Sequence, residues 1–107
     1  EIIKAKEVLD KAKNIENNIF LIATRGLLAI KENNLELGRY LYNRASNLAK
    51  NNTLKNHIDQ KKNIEVARYF FRLGSYSIAT DLLGKVLNSK PTLYTNQAKL
   101  LLAKLNQ

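Results

Sequence analysis

Apolar residues recur along the chain at the three- and four-residue spacing of an amphipathic α-helix, with polar residues between them. The first segment shows this pattern in Ile2, Ala5, Val8, Leu9 and Ala12, and lysines fill its other face. No stretch alternates apolar and polar residues as a strand does, since the β-branched pieces "EII" and "IFLI" lie inside helical patterns. The pattern therefore predicts an all-α fold.

Clusters of asparagine, a glycine and a proline divide the chain into six predicted helices. The first precedes "NIENN", the second runs from about Ile19 to Lys31, and the third covers 35–50. A polar link, "LKNHIDQKK", leads into the fourth, which contains "NIEVARYFFRL" and ends at Gly74, because glycine suits the left-handed residue that terminates a helix. The fifth spans about Ser77 to Asn88, ahead of the only proline, Pro91, and "YTNQAKLLLAKLN" is the sixth.

Two parts of the chain repeat the same spacing of small and apolar residues. After 3, 12, 16, 19 and 24 residues, Ala67 is followed by Phe70, Ala79, Leu83, Val86 and Pro91. At the same intervals, Gly26 is followed by Ala29, Gly38, Tyr42, Ala45 and Lys50. Helices that pack closely need small residues where their backbones approach. Gly26 with Gly38, and Ala67 with Ala79, are therefore the predicted contact points of two helix hairpins.

These segments resemble the tetratricopeptide repeat family. "VARYFFRLGSYSIATDLLGKVLNSKP" has the small residue, the aromatic three positions later, the second alanine, the leucine and the closing proline of its signature. "IATRGLLAIKENNLELGRYLYNRASNLAK" lacks the aromatic and the proline, and neither copy has the typical tryptophan. The two anchors are separated by 41 residues, against about 34 in the family. "KNNTLKNHIDQKK" must extend the helices or form a longer link, so a HEAT-like or variant repeat stays open.

The resemblance implies one repeat domain, 1–107, of antiparallel helix pairs stacked in a right-handed superhelix. In this division 1–18 is the second helix of a partial repeat, 19–52 and 60–92 are repeats, and 93–107 is the first helix of another partial repeat. Each unit of such an array buries its apolar face on its neighbour. Because both ends continue the pattern and the chain does not start with methionine, we expect a fragment of a longer protein, with self-association through open ends.

The residues that usually carry chemistry are few. The chain has no cysteine, and its single histidine, His57, has only Asp59 near it in sequence, whereas zinc takes three or four protein ligands. The acidic residues are scattered, and each glycine stands alone, so no phosphate-binding loop is present. The sequence predicts no catalytic residue, no metal site and no cofactor. An enzymatic role would need groups from outside this segment.

The charge is strongly positive, with 18 Lys and Arg against 9 Asp and Glu, a net charge of +9. This balance favours nucleic acid, an anionic membrane or an acidic protein as partner. The alternative is a compositional bias, since Lys, Asn and Ile are abundant and the charges are spread out. No apolar run reaches the roughly 18 residues of a membrane span. We therefore expect no membrane partner and a cytoplasmic location.

Binding by a surface is the leading functional prediction. In the tetratricopeptide family the first helix of each repeat lines a concave groove that holds a peptide or a helix. Carried over by position, the groove is apolar in the first repeat and basic in the second, with the residues Phe20, Ala23, Leu27, Ile30 and Lys31, then Lys61, Ile64, Arg68, Phe71 and Arg72. An apolar anchor beside acidic residues fits such a surface. The alternative is that a preceding helix covers its apolar half.

Two further partner classes can be compared with the sequence. Repeat domains that clamp the C-terminal carboxylate of chaperones use a set of Lys, Asn and Arg, of which only Lys61 is present, while Ala23, Leu27 and Glu65 depart from it. A nucleic acid is the second candidate partner, less favoured than a protein because the residues lie on several helix faces. These residues are Arg39, Tyr40, Tyr42, Arg44, Arg68, Tyr69 and Arg72.

Overall fold

A computed structural model describes residues 18–106 of the chain, and the predicted helix within 1–18 lies outside the described residues. The described part contains five α-helices and no strand, so the all-α prediction is confirmed there. The helices are α1 (Ile19–Lys31), α2 (Leu35–Leu48), α3 (Asn52–Arg72), α4 (Tyr76–Leu87) and α5 (Thr95–Leu105). None of these helices is long and apolar enough to cross a membrane.

Asparagines begin the first three helices. The side-chain oxygens of Asn18, Asn34 and Asn51 each accept a hydrogen bond from a backbone N–H in the first turn of α1, α2 and α3, at distances between 2.8 and 3.3 Å. An N-cap asparagine satisfies amide groups that have no partner inside the helix. The asparagine clusters that break the apolar pattern therefore start the helices that follow them.

The polar segment "LKNHIDQKK" is helical, so of the two predicted alternatives the extended helix is present and the longer link is not. It forms the first part of α3, a continuous helix of 21 residues. Leu54 and Ile58, four residues apart, place an apolar stripe on the core in this otherwise polar stretch. The extra length between the two predicted repeats is thus taken up by additional turns of helix.

The turns α1–α2 and α3–α4 have the same backbone geometry, 41 residues apart. Asn33 and Gly74 adopt the left-handed conformation, with φ of 68° and 80°. In each turn, this residue donates its N–H to the carbonyl three residues back, at 3.0 Å. The next N–H reaches the carbonyl five residues back, at 2.8 Å in the first turn and 2.9 Å in the second. Both turns are Schellman motifs, which end one helix and start the next within three residues.

The predicted contact points of the hairpins are close-packed. A Cβ atom placed on Gly38 would lie 3.0 Å from the backbone oxygen of Gly26 and would overlap the side chain of Ile30. Ala67 and Ala79, their counterparts in the second hairpin, are completely buried in one cluster. Small residues therefore lie at the centre of both helix pairs, as the spacing predicted.

Two core clusters share the long helix α3. The first joins α1 and α2 to α3 residues between Leu54 and Phe70, and the second joins α3 residues between Ile64 and Phe71 to α4 and α5. The main packing pairs are α1 with α2 and α3 with α4, and α3 also touches both α1 and α5. The first helices of successive pairs, α1 and α3, therefore lie next to each other and share one surface.

Candidate functional site

The surface shared by α1 and α3 contains an apolar cleft of about 200 Å³. α1 contributes residues from successive turns, α3 contributes a stripe from its N-terminal half, and the residue before α5 closes one side. The lining is mostly apolar and consists of Phe20, Ala23, Thr24, Leu27, Tyr42, Leu54, His57, Ile58, Lys61 and Tyr94. The cleft thus depends on the packing of α1, α2 and the residue before α5 on α3.

Four of the ten predicted groove residues line this cleft: Phe20, Ala23, Leu27 and Lys61. Phe20 is 68% exposed, which is unusual for a phenylalanine and places it where a partner can reach it. Lys31 is exposed at the last turn of α1. The cleft therefore contains predicted groove residues from the first three turns of α1 and one predicted cation from α3.

Ile30 and Ile64 belong to the core. Ile30 is 1% exposed and packs over Gly38, and Ile64 is completely buried among the residues of the second cluster. Both side chains can support a groove, but neither can contact a partner from it. The positional carry-over fails at these two residues because it assigns a helix face without knowing the rotation of each helix.

The other three predicted residues lie towards the C-terminal end of α3. Arg68 borders a second depression, formed with α5. Phe71 is half-buried, with its ring 5.4 Å from that of Tyr76. Arg72 is exposed, and its guanidinium carbon lies 5.8 Å from the ring centroid of Tyr69. These residues are not part of the 200 Å³ cleft.

Glu65 binds two of the predicted groove cations. Its side chain is only 5% exposed, and its Oε2 accepts hydrogen bonds from Lys61 Nζ at 2.5 Å and from Arg68 Nη1 at 2.9 Å. A buried carboxylate needs such partners, because an unpaired charge away from water is costly. Two cations and one carboxylate leave this cluster with a net charge of +1.

His57 and Tyr94 form a wall of the cleft that the sequence did not predict. Their rings meet edge to face, with centroids 4.7 Å apart, and Lys61 Nζ lies 5.6 Å from the Tyr94 centroid. His57 and Lys61 are one helical turn apart on α3, so they share a face. That relation could be read from the sequence only after α3 was known to start at Asn52.

Hydrogen bonds from Asn56, Gln60 and Thr92 hold the segment that contains Tyr94 in place. Gln60 is 1% exposed. Its Nε2 donates a hydrogen bond to the backbone oxygen of Lys90 at 2.7 Å, and its Oε1 accepts one from the Thr92 hydroxyl at 2.6 Å. Asn56 Nδ2 donates to the same Lys90 oxygen at 2.9 Å. The Thr92 hydroxyl oxygen then accepts the N–H of Tyr94 at 3.0 Å. The segment between α4 and α5 is thereby fixed to α3, and the cleft wall with it.

Tyr42 closes the cleft from the inside. It is 2% exposed, belongs to the first core cluster and also lines the cleft. Burial raises the pKa of the Tyr42 phenol well above its ordinary range, and the negative charge of Glu65 acts in the same direction. The phenol is therefore neutral at physiological pH.

The seven residues of the predicted nucleic-acid surface do not come together. Tyr42 is buried, whereas Tyr40 is 61% exposed and shares a shallow depression with Arg44 on α2. Arg68 borders the separate depression against α5. Within the set, Tyr40 lies beside Arg44, and Arg72 lies over the ring of Tyr69.

Among residues 18–106, no three His, Cys, Asp or Glu side chains lie close enough together to hold a metal ion. His57, the predicted residue with the best coordinating group, packs against Tyr94. Comparison of the chain with protein-family models, curated proteins and solved structures finds no match. The chemistry of the cleft therefore carries the functional inference.

Proposed function

We propose that the chain is a non-catalytic protein-interaction module of the tetratricopeptide-like type, whose helix pairs stack in a right-handed superhelix. The proposed site is the apolar cleft between α1 and α3, and its ligand is a peptide or helix of a partner protein. One observation carries the proposal: a mostly apolar cleft with the 68%-exposed ring of Phe20 in its lining. An exposed apolar surface of this kind is typical of sites that bind another protein.

The size of the cleft favours an anchoring side chain over a whole small molecule. Pockets for drug-sized ligands measure about 300–1,000 Å³, and this cleft measures about 200 Å³. That volume suits one large apolar side chain of a helix or extended peptide, with the flanking residues lying on the rim. Protein interfaces concentrate their binding energy in such anchors.

The charge of the rim favours an acidic residue beside the anchor. Lys61 lies in the cleft wall, and the cluster that it forms with Arg68 and Glu65 keeps a net charge of +1. A clamp for a terminal carboxylate is less suitable, since Glu65 already engages both cations.

The proposal includes the array beyond the described pairs. The proposed repeats are the pairs α1–α2 and α3–α4, the second starting with α3 at Asn52 and not at residue 60. The proposed partial repeats at 1–18 and 93–107 would extend the same surface. Leu100 is 69% exposed on α5, as expected of a helix that continues to pack on a further unit. Self-association through this end is part of the proposal.

Selection of peptides followed by a matched pair of variants tests the proposed site. Peptides displayed on phage are selected on the purified chain, labelled with fluorescein and titrated by fluorescence anisotropy. Phe20→Ala should weaken their binding by roughly thirtyfold, the effect of losing a typical anchor contact of about 2 kcal/mol. Leu73→Ala, which removes a residue exposed by 61% at the end of α3, should leave it unchanged. Equal affinities of the two variants for the selected peptides would exclude the cleft as the binding site.

A further inference from the structure

A different face of α3 borders a polar depression of about 480 Å³, enclosed by α2, α3 and α4. It contains three lysines, Lys55, Lys62 and Lys85, and one carboxylate, Asp59. Its other lining groups are asparagine and serine side chains. It shares no lining residue with the apolar cleft, so the two surfaces can be tested separately.

Two of the three lysines in this depression donate to neutral acceptors. Lys62 Nζ donates to the amide oxygen of Asn43 at 3.1 Å, and Lys55 Nζ donates to the Ser46 hydroxyl at 2.8 Å. Burial lowers the pKa of Lys62; Asp59 opposes this shift, and the positive charges of Arg39, Lys85 and Lys55 add to it. Neutral acceptors do not balance these charges, and an anion in the depression would.

An exposed aromatic ring lies next to the lysines. A shallower depression on α2 adjoins the first and shares Asn43 and Asn47 with it. It contains Arg44 and Tyr40, whose side chain is 61% exposed. Proteins that bind single-stranded nucleic acid combine two elements. Cations line the path of the nucleic-acid backbone, and an aromatic ring nearby stacks on a base.

We propose that this surface, the lysine face, binds single-stranded nucleic acid through Lys55, Lys62, Lys85 and Tyr40. The lysines contact successive phosphates, and an unpaired base stacks on Tyr40. A phosphorylated peptide would use the lysines but would leave the exposed ring and the neighbouring amides without a role, so a nucleic acid is the better match. The site does not depend on the proposed protein-binding cleft.

Salt titration of an oligonucleotide tests the lysine contacts. Fluorescein-labelled oligothymidylate and oligouridylate are titrated with the full chain by anisotropy between about 50 and 200 mM salt. Three phosphate contacts predict that the logarithm of the association constant falls with a slope of about −2 against the logarithm of salt. Lys62→Gln should reduce this slope by about 0.7, the value for one contact in a single strand. Lys99→Gln removes the same charge from an exposed site on α5 and should leave the slope unchanged.

A second pair of variants tests the stacking contact. Tyr40→Ala should lower the affinity about tenfold, within the range measured for loss of one stacked base, and should keep the salt slope. Leu37→Ala changes another exposed apolar residue of α2 and should have no effect on affinity. A duplex of the same length should bind more weakly than the single strand, because its bases are not free to stack.

Several results would overturn the proposal. One is the absence of oligonucleotide binding at low salt, and another is equal loss of affinity in Lys62→Gln and Lys99→Gln. Equal affinity for duplex and single strand would remove the role of Tyr40. If a phosphoserine peptide or phosphatidylserine vesicles bound through Lys62 while oligonucleotides did not, the face would serve another anion. Phe20→Ala should keep oligonucleotide binding, so failure of the cleft and failure of this face are distinguishable.

Discussion

The two helix hairpins have the same turn and the same spacing, but they fill their contact points differently. In α1–α2 the close residues are Gly26 and Gly38, and the nearest ring atom of Tyr42 lies 3.0 Å from the position that a Cβ on Gly26 would take. In α3–α4 the close residues are Ala67 and Ala79, and the position equivalent to Tyr42 holds the smaller Leu83. Space left empty by a missing methyl group in one hairpin is occupied by a larger neighbouring side chain.

This comparison shows what the repeat preserves. Tyr42 and Leu83 are both buried, at 2% and 0% exposure, and the equivalent pair Ala45 and Val86 is completely buried. Interiors are close-packed, so the total volume around the contact is constrained more tightly than any single residue. The hairpins therefore share the turn geometry and the burial of these equivalent positions, while their sequences differ.

The largest expected effect comes from enlarging the contact residue in each hairpin. Gly38→Leu should destabilise the fold by about 3 kcal/mol or more, because the new side chain meets the backbone of Gly26 as well as Ile30. Ala79→Leu should cost about 1–3 kcal/mol, since it overpacks side chains that can partly shift. Urea unfolding of both variants measures the difference. If both proteins unfold at the wild-type urea concentration, neither residue lies at a close contact.

A change in stability of intermediate size is expected when each of two glycines is replaced by alanine. Gly74→Ala should destabilise by about 1–2 kcal/mol, because Gly74 has a φ of 80° that an L-residue adopts only with strain. Gly84→Ala should stabilise by up to about 1 kcal/mol, since Gly84 lies within α4 and a Cβ there meets nothing within 4 Å. Thermal unfolding should therefore give shifts of opposite sign. Shifts of the same sign would contradict the assignment of Gly74 to the turn.

The smallest effect is a dependence of stability on alkaline pH. The fold lowers the pKa of Lys62 below its ordinary value of 10.5. Between these two pKa values the unfolded chain binds more protons than the folded chain, so stability should rise with pH in that range. Because the pKa of Tyr42 is raised, the unfolded chain loses its proton first above pH 10.0, and stability should fall there.

Three variants separate these two contributions from the general charge of the chain. Lys62→Gln should flatten the rise in melting temperature below pH 10.0 more than Lys99→Gln, which controls for one lost positive charge. Tyr42→Phe should reduce the fall above pH 10.0. If the two lysine variants had the same pH profile, burial of Lys62 would have no measurable consequence.

The helices were predictable because their signals are local. The bounds of α1 match the prediction, and the asparagine and glycine signals lie at the two Schellman turns. The N-terminal part of α3 was missed because it has only Leu54 and Ile58 as apolar core residues among polar neighbours, although Asn51 supplied an N-cap signal.

The candidate site was less predictable because its wall is built by distant contacts. Tyr94 is positioned through Gln60, which bonds to Lys90 and Thr92, residues 30 and 32 positions later in the chain. No local spacing encodes such hydrogen bonds. Ile30 and Ile64 were assigned to the groove by position alone, and their burial depends on how far each helix is rotated in the packed structure.

Proton–proton contacts measured by nuclear Overhauser spectroscopy test the equivalence of the two hairpins most directly. The account predicts a strong contact between the α-protons of Gly26 and Gly38, and a contact between the methyl groups of Ala67 and Ala79. The contradictory result is a spectrum of the folded chain in which Gly26 lacks any contact with Gly38, or in which Ala67 and Ala79 contact separate elements.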